Sequence, residues 1–154
     1  MAAHVYPPGE GPHFDWDADQ PFVKVSGAQT GGAYCLIEDN LKAHFALGLH
    51  RHDHHAESFY ILEGTLDFYL EGAWTRVTPG TTLHVPPGVP HACRVAGGAP
   101  AKMLMLMQPA SFDGYLHALS TMTLEDFEDT DKMAALNAKF DIVAMGGVPI
   151  HPEE

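Results

Sequence analysis

The sequence predicts an all-β fold with a helical extension at its C-terminal end, and three observations lead to this prediction. Short apolar and aromatic runs between residues 21 and 108 alternate with polar residues, as half-buried strands do. The 15 glycines and 12 prolines favour many turns over long helices. After Pro109 the apolar spacing changes to three and four residues, the spacing of a helix. Roughly eight to ten short, evenly spaced strands are typical of an antiparallel sandwich or barrel.

The strands are predicted in chain order. Residues 1–22 are interpreted as an N-terminal arm without regular periodicity, and the first strand is expected at PFVKVSG, where this arm ends. Residues 23–108 are interpreted as the β-barrel domain. Its further strands are AYCLIEDNL, HFALGLHRH, the run SFYILEGTLDFYLEGAWTRV, TTLHV, HACRV and KMLMLMQ. Turns are expected at Glu63-Gly64, at Glu71-Gly72, at the stiff PPGVP segment and at GGAP.

Residues 109–154 are interpreted as helices and a tail that pack on the barrel. SFDGYLHALSTM is predicted to be helical, with Ser111 as N-cap and an apolar face formed by Phe112, Tyr115, Leu116 and Leu119. A second helix is expected at DKMAALNAKF. The acidic LEDFEDTD between them is interpreted as a solvated connection, and DIVAMGGVPI as a segment that returns to the barrel.

Composition excludes several classes of partner. The formal net charge of -12 argues against binding to nucleic acid or to an anionic membrane surface. No basic region followed by an apolar run resembles a signal peptide, and no apolar run reaches the length of about 18 residues that a membrane span needs. Cys35 and Cys93 are expected to be buried free thiols. A cytoplasmic protein is therefore expected.

The segment LHRHDHHAESFYILEG holds the residues that indicate chemistry. Alternation along a strand places His50 and His52 on one face, and His54 shares that face only if the strand continues. A hairpin can return Glu57 beside the two histidines. Two imidazoles and a carboxylate suit a divalent transition ion, which needs one further donor. His91 follows the stiff PPGVP turn and is the candidate.

These residues resemble the two motifs of the cupin superfamily. The first motif is His50-x-His52, four residues, Glu57, six residues and Gly64; the second is Gly80, five residues, Pro86-x-Gly88, two residues and His91. The resemblance implies a double-stranded β-helix, or jelly-roll, with His50, His52, Glu57 and His91 as metal ligands. TGGAYCLIEDNL and QPASFDGYLHAL are similar to small bacterial monocupins of the quercetin 2,3-dioxygenase-like group.

Two positions depart from the family pattern, and several others are assigned from the predicted strands. His44 stands where the family usually has glycine, and Val95 where it often has asparagine. Neither position is a ligand in the family. Alternation makes the following residues candidates for lining the pocket: His44, Phe59, Ile61, Cys93 and Met105. His54 and His55 are assigned to an exposed loop, while the face on which His84 lies stays open.

The resemblance implies a metal-dependent enzyme with one divalent ion: iron, nickel, manganese, cobalt or zinc. The first hypothesis is a dioxygenase that uses O2 on a hydroxylated aromatic or enol, with Glu57 as the ligand that can also exchange protons. The alternatives are a redox-neutral Lewis-acid isomerase, lyase or polyketide cyclase, and a non-catalytic module that binds a small molecule. A homodimer is expected because cupins of this size commonly pair.

Overall fold

A computed structural model describes residues 2–154 and shows ten strands and three α-helices in that range. The strands are β1 (Asp19–Val25), β2 (Cys35–Leu41), β3 (Ala46–Arg51), β4 (Ala56–Glu63), β5 (Thr65–Leu70), β6 (Ala73–Val77), β7 (Thr82–Val85), β8 (His91–Ala96), β9 (Ala101–Gln108) and β10 (Val143–Ala144). The helices are α1 (Phe112–Ser120), α2 (Leu124–Glu128) and α3 (Thr130–Lys139).

The strands form two five-stranded antiparallel sheets, with the orders β1-β2-β9-β4-β7 and β10-β3-β8-β5-β6. This arrangement fits a jelly-roll, so the expected barrel takes the form of two facing sheets. Phe59 of the first sheet and Phe68 of the second lie with ring centroids 5.1 Å apart, which places the core between the sheets. The predicted all-β class is confirmed.

Alternation of side chains creates this core. Along β2, the residues Cys35, Ile37, Asp39 and Leu41 are buried, and the residues between them are more exposed. Along β9, Met103, Met105 and Met107 are buried in the same way. Both patterns have the two-residue period of a strand with one face turned inward. Cys35 and Cys93 are buried free thiols, as predicted.

The N-terminal segment differs from the expected boundary. β1 begins at Asp19, inside the predicted arm, and pairs with β2 along its length. The residues before it fold back on this strand, because the amide of Phe14 donates to the carbonyl of Pro21 and the amide of Val23 donates to the carbonyl of Pro12. Residues 12–14 therefore lie along the edge of the first sheet.

The C-terminal helices follow the sequence prediction at α1 and α3. Ser111 stands at the N-cap of α1, but its hydroxyl donates to the carbonyl of Phe140 and does not cap the helix. The acidic segment expected to be a connection contains α2, which begins with a capping box between Thr123 and Asp126. The segment after α3 returns to the second sheet as β10, which pairs with β3. Within residues 2–154, no helix is long and apolar enough to cross a membrane.

Candidate metal centre

His50 and His91 are directly opposite each other on neighbouring strands. The register of β3 and β8 pairs the two residues, and their imidazole centroids lie 4.2 Å apart. A register shift between Leu47 and His50 interrupts the ladder just before this pair. Such an irregularity re-aims side chains locally, and here both rings point between the two sheets.

His52 and Glu57 come from the turn between the two sheets. His52 follows the end of β3, and Glu57 is the second residue of β4, so the polar loop 53–55 carries the chain from one sheet to the other. Both side chains are buried, at 4 % and 5 % exposed. Nε2 of His52 lies 3.3 Å from Oε2 of Glu57, and Nε2 of His91 lies 2.7 Å from the same oxygen.

The PPGVP segment connects the second motif to the first. The amide of Gly88 donates to the carbonyl of His52 at 2.7 Å, and the amide of Val89 donates to the carbonyl of Pro86. Gly88 has a φ of 84°, a left-handed conformation that favours glycine. This tight turn delivers His91 to the first residue of β8, beside His52 and Glu57.

The four side chains converge on one point. One potential ligand atom from each of His50, His52, Glu57 and His91 lies within 4.8 Å of the others. The outer nitrogen of each imidazole, Nδ1, is within hydrogen-bonding distance of a backbone carbonyl oxygen. His50 contacts the carbonyl of Gly48 at 2.8 Å, and His52 contacts that of Asp141 at 2.9 Å. His91 contacts the carbonyl of Val89 at 3.0 Å. A carbonyl oxygen only accepts hydrogen bonds, so in the neutral rings Nδ1 carries the proton.

The electrostatics of the cluster fit a cation. With Nδ1 protonated, the lone pair of Nε2 points inward on each ring, towards the carboxylate of Glu57. Nε2 of His52 is buried and makes no hydrogen bond. Acceptors this close repel one another unless a cation or a shared proton lies between them. The residues present can therefore hold one divalent metal ion, with second-sphere carbonyls that fix each ring.

The pKa values reflect the same arrangement. Burial, followed by repulsion from His91, lowers the pKa of His50 to about 4. Burial opposes a charge on His52, but the nearby carboxylate of Glu57 outweighs it and raises the pKa of this ring. Burial alone would raise the pKa of Glu57, yet His52 and His91 hold it well below its usual range. Glu57 is thus a carboxylate at neutral pH.

An apolar cavity of about 460 Å³ adjoins the cluster. Side chains of the two sheets form one part of its wall: Phe59, Phe68, Cys93, Met103 and Met105. The apolar face of α1 forms another part: Phe112, Tyr115, Leu116 and Leu119. The cavity therefore has a polar floor at the histidines and mostly apolar walls, as small-molecule sites commonly do.

The predicted pocket residues divide into two groups. Phe59, Cys93 and Met105 lie in the lining of the cavity. His44 does not: it lies in the exposed turn between β2 and β3, where its ring is 3.2 Å from the carboxylate of Asp17. Ile61 points inward but is fully buried in the core away from the cavity. The two-residue period gives the face of a strand, but it does not give where a strand begins or which inward residues border a void.

Three further histidines that lie in or near the two motifs are outside the cluster. His54 is exposed, and the ring of His55 is held at 2.6 Å by the carboxylate of Asp141. His84 is exposed on β7, where its ring lies 2.9 Å from the hydroxyl of Ser58 on the outer face of the first sheet.

Asp141 is a site residue that the sequence did not indicate. Its carbonyl accepts the hydrogen bond from His52, and its carboxylate accepts from the amides of Asp53 and His54. Its φ of 57° is left-handed, a conformation that aspartate tolerates better than most residues. In the sequence, an aspartate just after a helix gives no sign of a functional role. It reaches the histidines only because the chain after α3 returns to pair with β3.

Part of the chain matches a protein-family model. Residues 40–107 match the family model described as Cupin domain, a range that includes all four clustered residues. The match covers less than half of the chain, so it shows a similarity to cupins, and the structures described next show a shared fold.

One curated relative and two solved structures illustrate the similarity. Quercetin 2,3-dioxygenase of Bacillus subtilis (strain 168) is 33 % identical over 70 residues, which are 46 % of this chain and 20 % of that relative, so this chain spans only about a fifth of its length. The structure of KdgF from Halomonas sp. covers 72 % of this chain and 99 % of its own, with a TM-score of 0.63 and 17 % identity. An RmlC-like cupin from Shewanella frigidimarina covers 73 % and 96 %, with a TM-score of 0.62 and 16 % identity. At these identities the structural likeness shows the fold alone.

Proposed function

We propose that this chain is a metal-dependent cupin enzyme, a dioxygenase that acts on a hydroxylated aromatic or enol small molecule of the flavonol type. The observation that carries the proposal is the convergence of three imidazoles and one carboxylate within 4.8 Å at the floor of an apolar cavity. The partial similarity to a quercetin 2,3-dioxygenase supports the class of reaction.

The proposed ligands are His50, His52, Glu57 and His91. These donors would hold a divalent transition ion, and the ion would supply a Lewis acid that lowers the pKa of a hydroxyl bound to it. Iron, nickel, manganese, cobalt and zinc all accept this donor set, because imidazole and carboxylate are borderline and hard donors that several ions share.

The chain's own residues have separate tasks in this proposal. Glu57 is the one member of the cluster that is anionic at neutral pH, so its carboxylate can take the proton from a substrate hydroxyl. The Nδ1 atoms of the histidines are engaged with carbonyls and keep the rings oriented. Phe59, Met105 and Phe112 provide apolar walls that exclude water and suit a flat aromatic ring.

Metal analysis followed by oxygen uptake tests the proposal. Protein purified without added metal should contain about one redox-active ion per chain, and 3-hydroxyflavone should then consume O2. Glu57→Gln should lower the rate at least about 100-fold, because the ligand and the proton acceptor are lost together. Glu63→Gln is the matched control: it lies on the same strand and its exposed side chain contacts Lys102.

If no flavonol or related enol consumes O2 under any metal loading, the dioxygenase proposal is wrong. Redox-neutral Lewis-acid chemistry, as an isomerase, lyase or cyclase, is the second candidate, because the same donors accept zinc. Stoichiometric zinc without oxygen uptake would favour it. Tight binding of 3-hydroxyflavone without any turnover would instead favour a non-catalytic binding module.

A further inference from the structure

Tyr115 and Asn137 form a polar pair in the wall that the C-terminal helices give to the cavity. Both residues are in the cavity lining, Tyr115 on α1 and Asn137 on α3. The hydroxyl of Tyr115 donates a hydrogen bond of 2.9 Å to Oδ1 of Asn137. The other residues of α1 in the lining are apolar, namely Phe112, Leu116 and Leu119. The proposed reaction gives neither member of the pair a task.

The hydrogen bond between the two side chains leaves part of their capacity unused. A phenol has one donor and can also accept, and a primary amide has two donors and one acceptor oxygen. Among residues 2–154, neither side chain makes a second hydrogen bond, so the amide N–H groups and the phenol oxygen remain available. Rotating the amide by 180° gives an equivalent set, because the phenol O–H then becomes the free donor and Oδ1 the free acceptor. The pair therefore presents a donor and an acceptor side by side in either arrangement.

Packing between α1 and the end of α3 fixes the orientation of the phenol. The ring of Phe140 meets that of Tyr115 edge-on, with centroids 5.7 Å apart. The hydroxyl of Ser111 donates to the carbonyl of Phe140, and a Cβ on Gly114 would lie 2.9 Å from the Phe140 ring. Burial raises the pKa of Tyr115, so at neutral pH the phenol keeps the proton that it donates. A pair held in this way is preorganised for a ligand.

The chain connects the pair directly to the histidine cluster. The amide of Ile142 donates to the carbonyl of Asn137 at 2.8 Å, and Ile142 is itself in the cavity lining. Asp141, just before Ile142, contacts the ring of His52 through its carbonyl. The four residues from Asn137 to Asp141 span at most about 14 Å of extended chain, and the closed turn brings their ends nearer to each other. One small molecule in this cavity can therefore reach both the cluster and the pair.

We propose that Tyr115 and Asn137 determine specificity by binding a hydroxyl group of the ligand, separate from the group that meets the histidine cluster. A hydroxyl fits because it donates to the phenol oxygen and accepts from the amide, whereas an ether oxygen only accepts. The inference deepens the proposed function and rests on it only in that the substrate occupies the same cavity. It narrows the substrate class to aromatic molecules with at least two oxygen substituents, one of them a free hydroxyl at the helical wall.

The test uses three probes that share a naphthalene body and lack a chelating pair of oxygens. They are 2-(hydroxymethyl)naphthalene, 2-(methoxymethyl)naphthalene and 2-methylnaphthalene, titrated calorimetrically into the protein as purified. We expect the alcohol to bind about tenfold more tightly than either of the other two, since two neutral hydrogen bonds together account for a factor of this size.

Variants show where this preference originates. Tyr115→Phe and Asn137→Leu should each lower it to about threefold, because one polar partner remains, and the double variant should lower it to about onefold. Tyr60→Phe is the matched control: this tyrosine is exposed on β4 and outside the cavity lining, so the tenfold preference should persist. Melting curves identify any variant that has not folded. If the double variant does not fold, Tyr115→Phe decides, since it keeps the ring that packs on Phe140.

The proposal is overturned if the methoxy probe binds as tightly as the alcohol, if none of the probes binds, or if the full preference survives in the deciding variant. Survival of the preference would assign the alcohol to the metal instead of the helical wall. Oxygen uptake with 3-hydroxyflavone is measured separately. A protein that consumes no O2 but prefers the alcohol retains the hydroxyl site and loses the proposed reaction, and the reverse pattern retains the reaction and loses the hydroxyl site.

Discussion

His52 and His54 are two residues apart, yet the fold gives them different surroundings. The ring of His52 is buried beside Glu57, whereas His54 is exposed and its backbone amide donates to Asp141. We predict that His52→Ala weakens metal binding by at least about 100-fold, because it removes a ligand, and that His54→Ala changes it less than about twofold. Titration against a competing chelator measures both. Equal losses in the two variants would contradict the ligand assignment.

The buried carboxyl of Asp39 leads to a prediction about how folding stability depends on pH. Burial raises its pKa to about 8 in the folded protein, so the folded state holds a proton that the unfolded state releases near pH 4. The contribution of Asp39 to stability is therefore present at low pH and is lost as the pH rises from about 4 to about 8. Carboxylates with lowered pKa values, such as Glu57 and Asp67, act in the opposite direction.

The variant Asp39→Asn separates the contribution of Asp39 to this pH dependence from the contributions of the other carboxylates. Between pH 5 and pH 8, the free energy of unfolding of Asp39→Asn should fall less, or rise more, than that of the unmodified protein, by a few kcal/mol at most. Urea unfolding at the two pH values gives the comparison. Identical pH dependence would mean that Asp39 is ionised in the folded state.

At the level of elements, the pairing of β3 with the segment that contains β10 depends on Gly48. A Cβ at this position would lie 2.8 Å from the backbone carbonyl oxygen of Gly146, and the carbonyl of Gly48 also holds the ring of His50. We predict that Gly48→Ala lowers the free energy of unfolding by about 1–3 kcal/mol and weakens metal binding, because backbone must move apart. Gly147→Ala, where a Cβ meets open space, is the control for both measurements. A harmless Gly48→Ala would show that the two segments are not packed this closely.

Much of the fold was predictable at this level, since alternation and turn residues are local signals. The strand character of β2, β4 and β9 and the helical character of α1 follow directly from residue spacing. Residue spacing does not predict which strands pair with each other. β9 lies between β2 and β4, and these pairings join segments that are distant in sequence. The capping box of α2 was present in the sequence at Thr123 and Asp126, but the acidic composition around it indicated a solvated connection.

The part of the candidate site that comes from the two short motifs was predictable. The part that comes from the C-terminal segment, which packs against the motifs, was not. His50, His52, Glu57 and His91 converge as the motif spacing implied. The carbonyl of Asp141 and the wall provided by α1 reach the site through tertiary packing that no local pattern encodes. His44 lies outside the cavity lining because a turn, and not a strand, occupies its position.

At the level of the whole molecule, metal binding and folding stability are coupled. An ion that binds only the folded chain stabilises it by about 2.7 kcal/mol when the concentration of free ion is a hundred times its Kd. For a chain of this size, we predict that chelation lowers the Tm by about 5 to 10 °C. Differential scanning calorimetry with and without chelator measures the shift, and Glu57→Gln should show little of it. A Tm that is insensitive to chelation in both proteins would contradict a structural role for the ion.

The hydrogen bond from His52 to the carbonyl of Asp141 has a further consequence for synthesis of the chain. A ribosome completes His50, His52, Glu57 and His91 well before residue 141, so the nascent chain can gather all four donors while the ring of His52 is still free to rotate. An ion that enters at that stage exchanges readily with the surrounding solution. Docking of the segment around Asp141 then fixes the ring, so we expect the choice of metal to become hard to reverse only once this later segment has folded back.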